Sequence, residues 1–301
     1  MQLSSLRYFL EVARWGSIRR AGEVLHVAAS AVSRQIALLE QELGTPLLER
    51  HALGVRLTAA GEVFARQARA TLRDLERAKS EIDDLAQLRR GNIRIYTSEG
   101  AVADLLFGAL SEFSKRYPGI TYDVVVAGSR KAIDGVAQEE CDFGIVFNPE
   151  PHSEVTILRS AQHPVCAVMH PHHPLGKRTR IDLDDLQDVA VCLLDHTFAV
   201  RHLIDQAIAT EQKTLKVALT INSVEFAKIF ARDGMGITFL PFYAVRREVA
   251  DGSLKAIPTS HPLLSTSTVA LCMHRTRTVP LAAEELMKVL AKHFSSFAVT
   301  D

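Results

Sequence analysis

Seven arginines and no lysine fall within the first 60 residues. Guanidinium groups are planar, permanently charged donors that meet phosphates and guanine edges two bonds at a time, so the bias suits a nucleic-acid partner, although an arginine-rich genome leaves the same mark. In the stretch SIRRAGEVL, Ser17 reads as a helix N-cap, which puts Arg19 and Arg20 in the first turn. The helix dipole disfavours cations there by roughly 0.3–1 kcal/mol each. Either the two side chains are simply solvated, or an anion faces them. Further on, Ser30, Arg34, Ala37 and Gln41 share the side of a helix opposite Val32, Ile36, Leu39 and Leu43, with Ser33 on the flank and Gln35 beside it. Small polar residues around one arginine fit a major groove and can donate to phosphates and base edges. ERHALGVRLT then reads as a two-stranded wing, with Arg50 and Arg56 on either side of a Gly54 turn, suited to the DNA backbone or the minor groove.

Other chemistry is less well supported. His163, Cys166, His170, His172 and His173 lie within eleven residues and carry transition-metal ligand types. PVCAVMH reads as a strand, however, and PHHPLG as a loop leading into the next helix, so no metal site is expected. AGSRKA has a serine after a glycine but no second glycine and no assignable histidine. With no carboxylate dyad and no phosphate-cradling glycine loop, neither a catalytic residue nor a cofactor is expected. The chain does not read as an enzyme.

The elements that must position these residues follow from periodicity. Leu6, Phe9, Leu10 and Ala13 mark a first amphipathic helix, closed by Trp15 and Gly16. A second starts at Ser17 and is expected to bury Ala21, Val24 and Leu25, and a third runs from about Ser30 to Leu43, stopped by Gly44. Three short helices with a tight turn between the last two make a helix-turn-helix pattern. From Thr58 to about Leu88 the chain reads as one long helix. Phe64, Ala68, Thr71, Leu75, Ala78, Ile82 and Leu85 alternate at spacings of four and three along it, a seam that suits a partner helix.

After RRGNIRIYTS the period changes from 3.6 to 2, and strands alternate with helices to the end, the pattern of a parallel, doubly wound sheet built twice. Charge divides along the same line. Residues 1–90 hold 14 Lys+Arg against 11 Asp+Glu and residues 91–301 hold 21 against 24, so +3 is set against −3. The four cysteines show no paired spacing, and no apolar run is long enough to span a bilayer. A cytoplasmic protein with no membrane partner is expected.

AASAVSRQIALLEQELGTPLLERHALGVRLTAAGEVF, with GSIRRAGEVL before it, resembles the DNA-binding region of LysR-type transcriptional regulators. RYPGITYDVV, CDFGIVF, HPHHPLG and ARDGMGITFLP resemble recurring segments of the same family's effector-binding half. The resemblance implies an α/β chain with an all-α, winged head. It places a winged helix-turn-helix at 1–58, a linker and dimerisation helix at 59–90, and two doubly wound α/β subdomains like those of periplasmic solute-binding proteins, at 91–161 with 266–301 and at 162–265. It implies double-stranded DNA carrying an interrupted inverted repeat as partner, a homodimer or homotetramer, contact with RNA polymerase and a small-molecule effector. Ala29 stands where the family often has glutamine, which leaves more of the readout to Ser30, Ser33 and Arg34, and Gly22 stands where alanine is usual.

Ligands of open α/β sheets sit beyond the carboxyl ends of the strands, at helix N-termini. That rule selects Thr97, Ser98, Ser129, Phe147, Thr197, Phe198, Asn222 and Ser223, whose counterparts in the family line the effector cleft. Arg201 could pair with the carboxylate of a small organic acid, or with an acidic neighbour. Two other classes compete. A solute carrier would account for residues 91–301 but not for the arginine-rich head, and an enzyme on the same scaffold would need convergent acid, base or nucleophile groups.

Overall fold

The apolar spacing of the first 60 residues produces three helices: α1 (Leu3–Trp15), α2 (Ile18–Leu25) and α3 (Ala29–Leu43). The computed structural model describes residues 2–51, 54–84 and 91–296. Phe9, Val12, Ala21, Val32, Ile36 and Leu39 are buried together as the core of this head. Of the other expected core positions Leu25 is half-buried at the margin, and two are exposed: Val24 at 43% and Leu43 at 42%. Gly22 causes the first difference. A Cβ there would lie 2.8 Å from the Val27 carbonyl oxygen, so this side of α2 is the one pressed inward and Val24 is turned out. Leu43 ends α3 just before Gly44, whose φ of 67° closes the helix in the left-handed region.

The wing is an antiparallel pair, β1 (Leu48–His51) and β2 (Gly54–Leu57), with Arg50 opposite Val55. Glu40 of α3 accepts from the backbone N–H groups of Leu47 and Leu48 at 2.7 and 3.0 Å, which pins the wing to that helix. The Val55 N–H donates to the Gly16 carbonyl at 2.8 Å, stitching β2 to the residue before Ser17. The long helix α4 runs Ala59–Asp84, about 39 Å at 1.5 Å per residue. Its seam divides. Phe64 stacks edge-on against Phe9 at 5.2 Å and Ala68 is buried, whereas Thr71, Leu75 and Ala78 are exposed on the single chain. The Ile82 side chain and Leu85 lie outside the described residues.

Contact density separates residues 1–82 from 83–301 as two units. The second unit contains two five-stranded sheets. Along the chain come β3 (Gly91–Thr97), the short α5 (Glu99–Ala101) leading through one π-turn into α6 (Phe107–Arg116), β4 (Ile120–Val126), α7 (Ser129–Ala137), β5 (Phe143–Phe147) and β6 (Val155–Gln162). Then follow β7 (Val165–Met169), β8 (Ala190–Leu194), α8 (Ala199–Glu211), β9 (Lys216–Ile221), α9 (Val224–Arg232), β10 (Ile237–Pro241), α10 (Arg246–Ala250), β11 (Lys255–Pro258), α11 (Pro262–Ser265), β12 (Thr268–His274) and α12 (Leu281–Ser296). The first sheet is ordered β4-β3-β5-β12-β6 and the second β11-β7-β10-β8-β9.

Neither sheet is wholly parallel, which corrects the expectation from strand–helix alternation. β12 runs antiparallel to both β5 and β6, and β7 runs antiparallel to both β10 and β11. These are the two strands that follow the chain's passages between the sheets, where a strand enters from the opposite direction. The apolar runs FGIVF, VCAVM and ITFLP form interior strands buried at every position. β4 and β9, at sheet edges, keep several side chains exposed.

Candidate functional site

In the head, α2 begins at Ile18 as Ser17 requires: the Ser17 hydroxyl accepts from the Arg20 N–H at 3.3 Å. Arg19 and Arg20 therefore occupy the first turn, where no acidic residue is present. Arg19 is 88% exposed and its Nε donates to Glu23 one turn on at 3.2 Å, while the Arg20 guanidinium sits over the Trp15 ring at 5.2 Å. That exposed ion pair contributes little to stability, so the two cations stand in solvent at a helix end that repels them.

Helix α3 starts one residue earlier than expected, at Ala29, which puts Ser30 in its first turn. Ser30, Arg34, Ala37 and Gln41 are exposed along one side and Ser33 is half-buried at its edge. Gln35 is turned elsewhere: its Oε1 accepts from the Ser5 hydroxyl at 2.8 Å, tying α3 to α1. Arg56 is exposed on β2, and the Gly16–Val55 hydrogen bond holds its strand beside the start of α2. Arg50 lies on β1, with its side chain outside the described ones. The head thus presents a convex helix face of small polar groups with guanidinium groups on the elements to either side of it.

In the second unit a small, partly open cleft of about 30 Å³ lies where strand ends and helix starts converge. Ser98, Ser129, Phe147 and Phe198 line it; Thr97, Thr197, Arg201, Asn222 and Ser223 do not. Most of those groups have other work. The Thr97 hydroxyl donates to the Ser98 carbonyl at 3.2 Å, Thr197 binds Asp195, and Ser223 caps α9 by accepting from the Phe226 N–H. Asn222 is exposed. Arg201 takes the acidic neighbour: its Nε donates to Asp205 at 2.8 Å and its guanidinium also reaches the Leu194 carbonyl at 3.1 Å. Asp195 is held below the usual carboxylate range by its hydrogen bonds from Thr197.

The lining also includes residues that strand-end reasoning did not select. Tyr243 follows β10 and stacks near Phe147, with ring centres 6.3 Å apart, and burial pushes its phenol up. Gly128 precedes α7, and a Cβ there would sit 2.0 Å from the Thr197 carbonyl oxygen, so the backbones of the two sheets' loops touch at this point. Glu99 reaches from the end of β3 to the Val224 N–H at the start of α9, 2.9 Å away. The Ser129 hydroxyl, instead of facing the cavity, donates to the Phe147 carbonyl at 2.7 Å. Glycine before a helix and an aromatic residue just past a strand are the signals that mark Gly128 and Tyr243 in the sequence.

Two other places were candidates for chemistry. A more open groove of about 520 Å³ lies along β6, β12 and α12, but its Arg277 is already bound to Asp142 at 2.8 Å. In the histidine-rich stretch Cys166 is buried in β7, His163 packs edge-on to Tyr243 at 5.1 Å, the His170 and His172 rings lie 5.4 Å apart, and the His173 ring accepts from the Leu175 N–H. Burial pushes the Cys166 thiol up to about 12 and the Cys272 thiol to about 12. Thiols so placed stay protonated and unreactive.

Comparison with known proteins matches both units. A model described as "Bacterial regulatory helix-turn-helix protein, lysR family" covers residues 3–62, and one described as "LysR substrate binding domain" covers residues 86–295. The chain belongs to the LysR family. It is a LysR-type transcriptional regulator, and its head and its α/β unit are the family's DNA-binding and substrate-binding domains. Among relatives of this regulator, a probable RuBisCO transcriptional regulator of Synechocystis is 28% identical over 85% of this chain and 76% of that protein. The transcriptional dual regulator GltC of Bacillus subtilis is 27% identical over 98% of each chain. In fold, the regulator is similar to a variant of full-length OxyR from Pseudomonas aeruginosa, with a TM-score of 0.70 at 24% identity over 98% of this chain and 94% of that one. It is also similar to CbnR crystallised with its target DNA, with a TM-score of 0.63 at 20% identity over 98% and 99%. Among the described residues no helix is long and apolar enough to cross a membrane.

Proposed function

We infer that this regulator reads duplex DNA with the exposed face of α3 and senses a small molecule in the cleft bounded by Ser98, Ser129, Phe147 and Phe198. Ser30, Ser33 and Arg34 meet base edges. Ser17, Arg19, Arg20, Arg50 and Arg56 meet phosphates, and Gln35 contributes from the flank through its amide nitrogen. The observation that carries this reading is the solvent-facing side of α3, small and polar around one arginine, with two exposed arginines in the first turn of α2. A phosphate facing Arg19 and Arg20 reverses the dipole penalty and adds salt-dependent affinity. The likeness to CbnR on its DNA supports the same mode of docking.

On this reading residues 1–58 bind DNA and 59–90 pair two copies through the exposed part of the α4 seam. Residues 91–161 with 266–301, and 162–265, form the two subdomains around the effector, a small organic acid. The protein works in the cytoplasm as a homodimer or homotetramer on an interrupted inverted repeat, in reach of RNA polymerase. Effector binding changes the angle between the subdomains, and with it the packing of protomers and the spacing of the recognition helices. The test is selection of duplexes from a random pool by the full-length protein, followed by footprinting with and without each metabolite that raises its melting temperature. A paired, inverted footprint whose extent changes with such a metabolite is expected. A protein that enriches no sequence, or a footprint indifferent to every stabilising metabolite, contradicts the reading.

A further inference from the structure

Three helices of eight residues or more begin at the cleft: α7 after Gly128, α8 after Phe198 and α9 after Ser223. Their starts carry partial positive charge and backbone N–H groups that accept an anion. Of these, α9 is already supplied. Glu99 stands on the first sheet's side of the cleft, 125 positions earlier in the chain, and its carboxylate accepts the Val224 N–H at 2.9 Å. Ser223 takes the Phe226 N–H from within the second sheet's own loop. The cleft beside this contact holds about 30 Å³, and the loop backbones meet where Gly128 touches Thr197. Among the described lining residues Glu99 is the one with a formal charge.

We propose that Glu99 is a tethered occupant of the effector cleft: its carboxylate fills the α9 end and holds the two subdomains together, and a carboxylate effector enters by taking its place. The proposal rests on the reading of this cleft as the effector site, and it makes Glu99 a positioning and specificity-determining residue. An incoming acid competes with an anion covalently held at the site, so its carboxylate must be backed by an apolar body that gains from Phe147, Phe198 and Tyr243. A bare small carboxylate lacks that gain and is turned away.

Acetate is the fragment that Glu99→Ala removes, and it is the probe. Full-length wild type and Glu99→Ala are melted in rising sodium acetate, against sodium chloride at equal ionic strength. The variant should melt lower in chloride and recover saturably in acetate, with an apparent affinity at least tenfold tighter than the wild type's. Equal acetate responses in the two proteins, or none in the variant, overturn the proposal. Glu99→Gln keeps an oxygen for the Val224 N–H without the charge. That variant still fills the place and should show no more acetate recovery than the wild type; should Glu99→Ala not fold, Glu99→Ser, which also vacates the place, must bind acetate at least tenfold more tightly than the wild type, and equal affinity overturns the proposal. Acetate rescue accompanied by an operator footprint that ignores the cleft would uphold the Glu99 contact while overturning the effector reading, so the two failures are told apart.

Discussion

Gly22 and His163 show how far one residue can be read. Helix propensity alone makes Gly22 a weakness of about 0.5–1 kcal/mol against alanine, and only the fold reveals that the Val27 carbonyl lies where a methyl would go. His163 carries a proton-linked cost of the opposite kind. Burial, reinforced by the Arg246 charge, lowers its ring to about 4. The unfolded chain, with an ordinary imidazole near 6.5, therefore takes up a proton that the native state refuses. Between pH 6.5 and 4 the unfolded state binds more protons, so stability falls with pH at up to about 1.4 kcal/mol per unit from this group alone. Urea midpoints measured from pH 7 to 5 should drop more steeply for the wild type than for His163→Asn, which has nothing to titrate. Parallel curves would contradict the assignment. The spacing of His163, Cys166, His170, His172 and His173 exposes the ligand types but not their directions, because only Cys166 lies on β7 and the histidines fall in the segments before and after it.

At the scale of elements, legibility followed the amount of water each one meets. α3 could be placed to within a residue because its buried and exposed sides alternate at 3.6, and its reading face was visible as the complement of Val32, Ile36 and Leu39. β6, VTILRSAQ, has mixed exposure along its length and no turn signal strong enough to announce it. Strand direction leaves no trace in a period of 2, which is why β7 and β12 were not expected to run against their neighbours. α4 was legible as a helix but its seam serves two purposes, packing on Phe9 near its start and being exposed at Thr71, Leu75 and Ala78. Leu75 is 42% exposed there. If a second α4 covers it, Leu75→Asp places a charge in an apolar seam and should shift the assembly to a smaller species in sedimentation at micromolar protein. An unchanged sedimentation coefficient would mean that protomers meet elsewhere.

For the whole molecule, the two functions were legible to different degrees. DNA recognition is local in sequence, since the groups from Ser17 to Arg56 are brought together by helices and one hairpin. The cleft is not local. Strand ends pointed to Ser98, Ser129, Phe147 and Phe198, but the Glu99 contact to Val224 and the approach of Gly128 to Thr197 depend on two sheets closing on each other. No periodicity carries that information. Thr197 and Arg201 drew attention for their chemistry and proved to be satisfied by Asp195 and Asp205.

The central claim is that the exposed side of α3 lies against base edges while guanidinium groups around it hold phosphates. The direct measurement is the salt dependence of binding, for wild type, Arg34→Ala and Arg56→Ala, to a selected operator and to random duplex of equal length. Loss of a phosphate contact at Arg56 should weaken both duplexes alike and lower the slope of log K against log salt by about 1. Loss of Arg34 should fall mainly on the operator, by roughly 1–3 kcal/mol, closing the gap to random DNA. Operator affinity and slope unchanged in both variants would contradict the account.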